Sequence, residues 1–185
     1  LNGGDQSLTL NAWLTPSGEE SDALRRVKRR LSEHTLVVGG TSAGTAVMTR
    51  FAMITGGTSE GALNYGIFDA EPTSERCETL NCNSKIPATA VTYRKQGGLG
   101  LFPFGITDTH FSERHRQLRL IMLAAETSAP LAFGIDENSA LLVDIHTKKL
   151  QVIGEKGVWI FQNASVDHRR QALSRYQTIS HYLAS

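Results

Sequence analysis

Residues 36–50 read LVVGGTSAGTAVMTR, and the fold turns on this stretch. Leu36, Val37 and Val38 are apolar and rich in β-branched residues, the composition of a short strand buried on both faces. Gly39 and Gly40 end the run, and Ala43 to Met48 predicts the first turns of a helix. Between them Gly40-Thr41-Ser42-Ala43-Gly44 is a G-x-S-x-G pattern with strand before and helix after, the setting a nucleophile elbow requires. A serine on so sharp a turn is held in a strained backbone conformation, and small neighbours let the chain close around it. Its hydroxyl then projects above the sheet, and the Ala43 amide can face a developing oxyanion. The competing reading is an ordinary glycine-rich β-to-α turn that cradles phosphate.

A chain of 185 residues can bury a full core, and one domain is the natural expectation. Hydrophobic residues make up 40%, which argues against disorder, and no apolar run approaches the ~20 residues of a membrane span. A net charge of +1 without a plainly basic face argues against a nucleic-acid partner. The chain opens on Leu1 and passes directly into Asn2-Gly3-Gly4-Asp5-Gln6, so it reads as a fragment or a processed chain. Cys77 and Cys82 sit in a polar segment and read as a small disulfide or two free thiols; the first leans toward a secreted protein, though cytoplasmic and secreted both stay open. A zinc site would need further ligands near them.

Outward from the elbow, Gly3–Gln6 predicts a loop at the edge of the active face and Thr15–Gly18 a turn. Ser21 or Asp22 can cap a helix running to Glu33, with Leu24, Val27 and Leu31 as its apolar stripe and Arg25, Arg26, Lys28, Arg29 and Arg30 as a solvated face. Phe51–Ile54 reads as a strand. Residues 63–96, with Pro72, Pro87 and both cysteines, read as a long loop, insertion or lid. Phe104–Thr107 predicts a strand ending at Asp108-Thr109-His110. Ser112 can cap a helix over Glu113–Ala125. Leu131–Ile135 predicts a buried strand ending at Asp136-Glu137-Asn138, and Ala140–Val143 another. Leu150–Ile153 and Val158–Phe161 predict a hairpin around Gly154–Gly157, and Ser165–Leu183 a helix. Alternating strands and helices predict an α/β fold, a mainly parallel sheet with flanking helices. The chemistry should then lie beyond the carboxyl ends of the strands.

Three predicted strand ends carry chemistry: Ser42, Asp108-Thr109-His110 and Asp136-Glu137. A serine needs a base, and a histidine needs a carboxylate to fix its tautomer and stabilise its charge. His110 leads as base, with His115 as its near competitor; His34, His146, His168 and His181 fall in helical or surface contexts.

Gly40-Thr41-Ser42-Ala43-Gly44, then Asp108-x-His110-Phe111-Ser112-x-Arg114-x-Arg116-x-x-Arg119, then Gly134-Ile135-Asp136-Glu137 resemble the serine peptidase family of cyanophycinase and dipeptidase E, on its cyanophycinase side. The resemblance runs from Gly3 to Phe161 with the motifs in family order. It implies a fold like the class I glutamine amidotransferase domain, here a single partial α/β peptidase domain over 1–185 that lacks the family's N-terminal strands and helices. That part would belong to a separate N-terminal chain after cleavage or lie outside this sequence. It implies Ser42 as nucleophile and His110 as base. Glu60 and Glu137 both match acidic positions, and the third member stays open between them. It implies no cofactor and no metal, a peptide substrate, and a homodimer as one assembly.

An enzyme acting on aspartyl residues must hold carboxylates, for which Arg114, Arg116 and Arg119 are candidates through the bidentate guanidinium fork. Asp108 is a candidate for a basic group such as the arginine of a β-Asp-Arg unit, and Gln6 matches a substrate-pocket position. The competing reading pairs the arginines with Glu113 or Glu126. Thr109 stands where the cyanophycinase pattern has Gln. The expected reaction is serine-type exopeptidase cleavage of cyanophycin to β-Asp-Arg dipeptides. The alternatives are an aspartyl dipeptidase of altered specificity or a non-catalytic relative that binds Asp-containing peptides.

Overall fold

The computed structural model describes residues 1–71, 86–162 and 181–184. Asp5 opens the first helix, α1 (Gln6–Trp13), by accepting the Leu8 N–H at 2.8 Å. Ser21 caps α2 (Asp22–Ser32) through the Leu24 amide, as its sequence predicts. Leu24 is buried, and Val27 and Leu31 pack beside it against Leu10, Val47, Met53 and Leu99.

The elbow leads into a single helical turn, α3 (Ala43–Ala46). Next come β1 (Met53–Gly56), α4 (Ser59–Tyr65), β2 (Ile67–Asp69) and β3 (Val91–Arg94). The region expected as one long irregular loop therefore contributes the end of a helix and two strands. Residues 72–85, with both cysteines, lie outside the described residues. β4 (Ile106–Thr109), α5 (Gln117–Glu126) and β5 (Leu131–Ile135) follow, then β6 (Ser139–Asp144), β7 (Lys149–Gly154), β8 (Val158–Gln162) and β9 (His181–Ala184).

The architecture is mixed α/β, with small sheets in the orders β1-β3-β2, β4-β5-β8-β9 and β6-β7. The parallel ladders among the described residues are β2/β3 and β4/β5; β1/β3, β5/β8, β6/β7 and β8/β9 are antiparallel. The expectation of a mainly parallel sheet is corrected accordingly. The expected hairpin is also re-partnered: β7 pairs with β6, and β8 pairs with β5. The Glu155 amide bonds the Asn138 carbonyl, which closes β7 onto β6 and frees the apolar β8 to join the core strand β5.

The helix expected over Ser165–Leu183 falls largely outside the described residues, and His181–Ala184 is a strand on β8. α5 starts later than predicted because the Ser112 hydroxyl accepts from Trp159 Nε1 at 3.0 Å instead of capping a helix. Leu36–Val38 joins no ladder among the described residues, and Val37 is 85% exposed, so it is not the doubly buried strand its composition predicts. The first main-chain partner of this segment is Leu1, whose amine donates to the Gly39 carbonyl and whose carbonyl accepts from the Thr41 amide.

Two side-chain bonds dock the elbow onto β4. Thr107 Oγ1 donates to the Thr45 carbonyl at 3.1 Å, and Thr49 Oγ1 donates to the Gly105 carbonyl at 2.8 Å. Both threonines are buried, so each bond satisfies a group that water cannot reach.

Candidate active site

Ser42 has φ 51° and ψ −120°, outside the regions where side-chain-bearing residues settle. The G-x-S-x-G spacing has a direct cause. A Cβ on Gly40 would sit 2.3 Å from the Gly44 carbonyl oxygen, and one on Gly44 would sit 2.2 Å from the Leu1 carbonyl oxygen. Only bare backbone closes the turn.

His110 follows the last residue of β4 at φ 49°. Its Nε2 lies 3.0 Å from Ser42 Oγ, and its Nδ1 lies 2.7 Å from Glu137 Oε1. Glu137 stands in the turn between β5 and β6. Because β5 runs parallel to β4 in direct register, Thr109 opposite Ile135, both strands deliver their next residues to one rim. Beneath the imidazole, Phe111 is fully buried and its ring lies against Gly134, where a Cβ would meet it at 2.4 Å.

Of the two candidate acids, the structure brings Glu137 to His110. Glu60 lies exposed in the first turn of α4, and its carboxylate has no partner among the described residues. His115, the competing base, uses its carbonyl to accept the Ser59 hydroxyl at 2.5 Å.

The residues expected to hold substrate divide. Asp108 is 2% and Arg119 4% exposed. Arg119 Nε and Nη2 donate to the two oxygens of Asp108 at 2.7 and 2.6 Å, and its Nη1 to the Gly57 carbonyl at 2.5 Å. Arg116 Nη1 donates to Asp108 Oδ1 at 3.2 Å and to the Thr109 carbonyl at 2.6 Å. Burial and the neighbouring Arg119 bring the Arg116 guanidinium down to about 10, with Asp108 opposing, so it stays charged at neutral pH. These groups are committed to one another beneath the strand end. Gln6 Nε2 donates to the Ile54 carbonyl at 3.2 Å. Arg114 is exposed, and its guanidinium has no partner among the described residues.

Gly3 stands at the edge where the sequence places it, whereas the Glu113–Lys156 pair escaped the sequence reading. A Cβ on Gly3 would lie 3.2 Å from Ser42 Cβ and 3.7 Å from Ser42 Oγ, so the Gly3 backbone borders the Ser42 side chain. Glu113 pairs with Lys156 rather than with an arginine. Burial works against the Glu113 charge, but bonds from Lys156 and from the Glu113 and Glu137 amides outweigh it and hold the carboxyl below the usual range. The same contact raises Lys156. Among the described residues, no group of three or more His, Cys, Asp or Glu is placed to hold a metal ion, and no helix is long and apolar enough to cross a membrane.

A hydroxyl, an imidazole and a carboxylate in series can carry out nucleophilic acyl transfer. Comparison with known proteins shows that the chain is similar to curated cyanophycinases. It is 30% identical over 172 residues to a cyanophycinase of Synechococcus elongatus, covering 93% of this chain and 44% of that protein. It is 32% identical over 171 residues to one from Trichormus variabilis, covering 92% and 47%, and 28% identical over 168 residues to one from Geminocystis herdmanii, covering 91% and 50%. The chain thus spans about half the length of the curated relatives it matches. No family model matches it.

Proposed function

We propose that this chain carries the active site of a serine-type peptidase that hydrolyses cyanophycin and releases β-Asp-Arg dipeptides. The observation that carries the reading is the Ser42–His110–Glu137 series, with contacts of 3.0 and 2.7 Å and the serine at positive φ. The likeness to cyanophycinases supports the substrate class.

In this mechanism Ser42 Oγ attacks the carbonyl carbon while His110 Nε2 takes its proton. Glu137 holds the Nδ1 proton and stabilises the imidazolium. The developing oxyanion faces the Ala43 amide, which has no acceptor among the described residues. His110 then protonates the leaving amine, and water, deprotonated by the same imidazole, releases the acyl group. Arg114 supplies the free cation for a substrate carboxylate. Asp108, Arg116 and Arg119 shape the pocket wall from beneath, and Gln6 and Thr109 border it. An amidotransferase-like arrangement within one peptidase domain accompanies this reading.

The test compares β-Asp-Arg release from purified cyanophycin by the protein and by its Ser42→Ala variant. Loss of release by at least about a thousandfold in the variant is expected. Release that survives the substitution rejects the nucleophile. No release by either protein moves the assay to Asp-X dipeptides, where the smaller Thr109 would have redirected specificity, and inactivity there rejects the peptidase reading.

A further inference from the structure

We propose that Glu113, clamped by Lys156, is a positioning residue that keeps the Glu137 carboxylate against His110; this rests on the serine-peptidase reading above. Glu113 lies in the turn that follows His110, and its carboxylate bridges two elements. Oε2 accepts the Glu137 amide at 3.2 Å, while Oε1 accepts Lys156 Nζ at 2.5 Å. One side chain therefore ties the loop bearing the base to the residue bearing the acid.

Other bonds join the same loops but stop short of that residue. The Phe111 amide donates to the Ile135 carbonyl at 3.3 Å, and the Ser112 amide to Asp136 Oδ1 at 2.9 Å. Among the described residues Glu137 has two hydrogen-bond partners, His110 at its carboxylate and Glu113 at its amide. Its side chain is 47% exposed, so packing does little to hold it.

Lys156 adds a second reason for the clamp. Its ammonium lies within electrostatic reach of Glu137 and Asp136 as well as Glu113. Paired to Glu113, the cation is neutralised and held away from the Glu137 carboxylate. Without Glu113 it becomes a rival partner for the acid that His110 requires.

The experiment uses the full chain and two readouts, kinetics on cyanophycin and the far-downfield proton resonance of His110 Nδ1–H. Glu137→Ala serves as the reference in which that resonance is lost. In Glu113→Ala the resonance is expected to vanish or broaden, with kcat down about tenfold or more and KM within about twofold. Glu113→Gln keeps an acceptor for the Glu137 amide and recovers part of both. Lys156→Met alters a side chain exposed on the surface and moves both readouts the same way by a smaller factor, which covers the case in which Glu113→Ala fails to fold. A kcat that falls while the resonance persists marks a merely structural role and overturns the proposal, as does a pair of unmoved readouts in Glu113→Ala or Lys156→Met. Hydrolysis that survives Ser42→Ala rejects Ser42 as the nucleophile instead, and inactivity on both cyanophycin and Asp-X dipeptides rejects the peptidase reading; in either case the resonance still judges Glu113.

Discussion

The buried pair Asp108–Arg119 shows how one side chain's environment decides its role. A guanidinium that binds substrate must present free donors, whereas Arg119 directs its donors at Asp108 and the Gly57 carbonyl. Arg119→Met should therefore destabilise the protein by about 3–5 kcal/mol, because it leaves the Asp108 carboxylate buried without its bidentate partner. Arg119→Lys should recover only part of this, since an ammonium cannot span both oxygens. Urea unfolding measures both, and unchanged stability with a raised KM would return Arg119 to the substrate pocket. Gly134 is a second case. A methyl group there meets the Phe111 ring at 2.4 Å, one residue from His110. Gly134→Ala should cost about 1–3 kcal/mol by overpacking and lower kcat more than it raises KM. At this scale the sequence located side chains that meet: Ser42, His110 and Glu137 each lie at a predicted turn or strand end, and they stand within hydrogen-bond distance in series. It was silent on solvent access, so the arginines that pair internally read the same as the exposed Arg114.

Among the elements, those whose signals are local were legible. The Ser21 cap and the 3–4 spacing of Leu24, Val27 and Leu31 identify α2, and β5 is a dense apolar run between turn residues. Elements that depend on distant partners were not. Gly154–Gly157 looks like a hairpin turn, but the largely exposed β7 pairs with β6, while β8 pairs with β5 and buries Val158 beside Phe133 and Ile135. The tip that joins β6 to β7 has its own local clamp, Asp144. Its Oδ1 accepts the amides of His146 and Thr147, and those bonds, from Thr147 first, hold its carboxyl down at about 2. A carboxyl depressed by folding contributes stability above its unfolded pKa and loses it as pH falls toward the folded value. The stability difference between the protein and Asp144→Asn should accordingly be full above about pH 5 and narrow toward pH 2. Chemical unfolding at several pH values reads it, and a constant difference would show that the charge plays no part.

Across the whole molecule, the site is assembled from segments far apart in the chain. Ser42 and His110 are separated by 68 residues, and His110 and Glu137 by 27. The shorter separation is closed by the parallel β4/β5 register. The longer one depends on the seam where α3 meets β4, since no ladder among the described residues joins the elbow to that sheet. Thr107 is the fastener there, its hydroxyl donating to the Thr45 carbonyl three residues past Ser42. Thr107→Val keeps the shape and the β-branched fit to the strand but removes this bond, leaving the Thr45 carbonyl to the Met48 amide. The expected cost is about 0.5–1.5 kcal/mol in urea unfolding. Loosening the seam also lets the 3.0 Å Ser42–His110 contact lengthen, so kcat should fall with KM nearly unchanged. Thr49→Val provides the contrast: it removes the bond to the Gly105 carbonyl and the acceptor of the Phe51 amide, on the side of the seam away from His110. A larger stability loss with a smaller fall in kcat is expected there. Equal kcat in the two variants would mean that the elbow is aimed by its own backbone strain, and that the seam contributes stability alone.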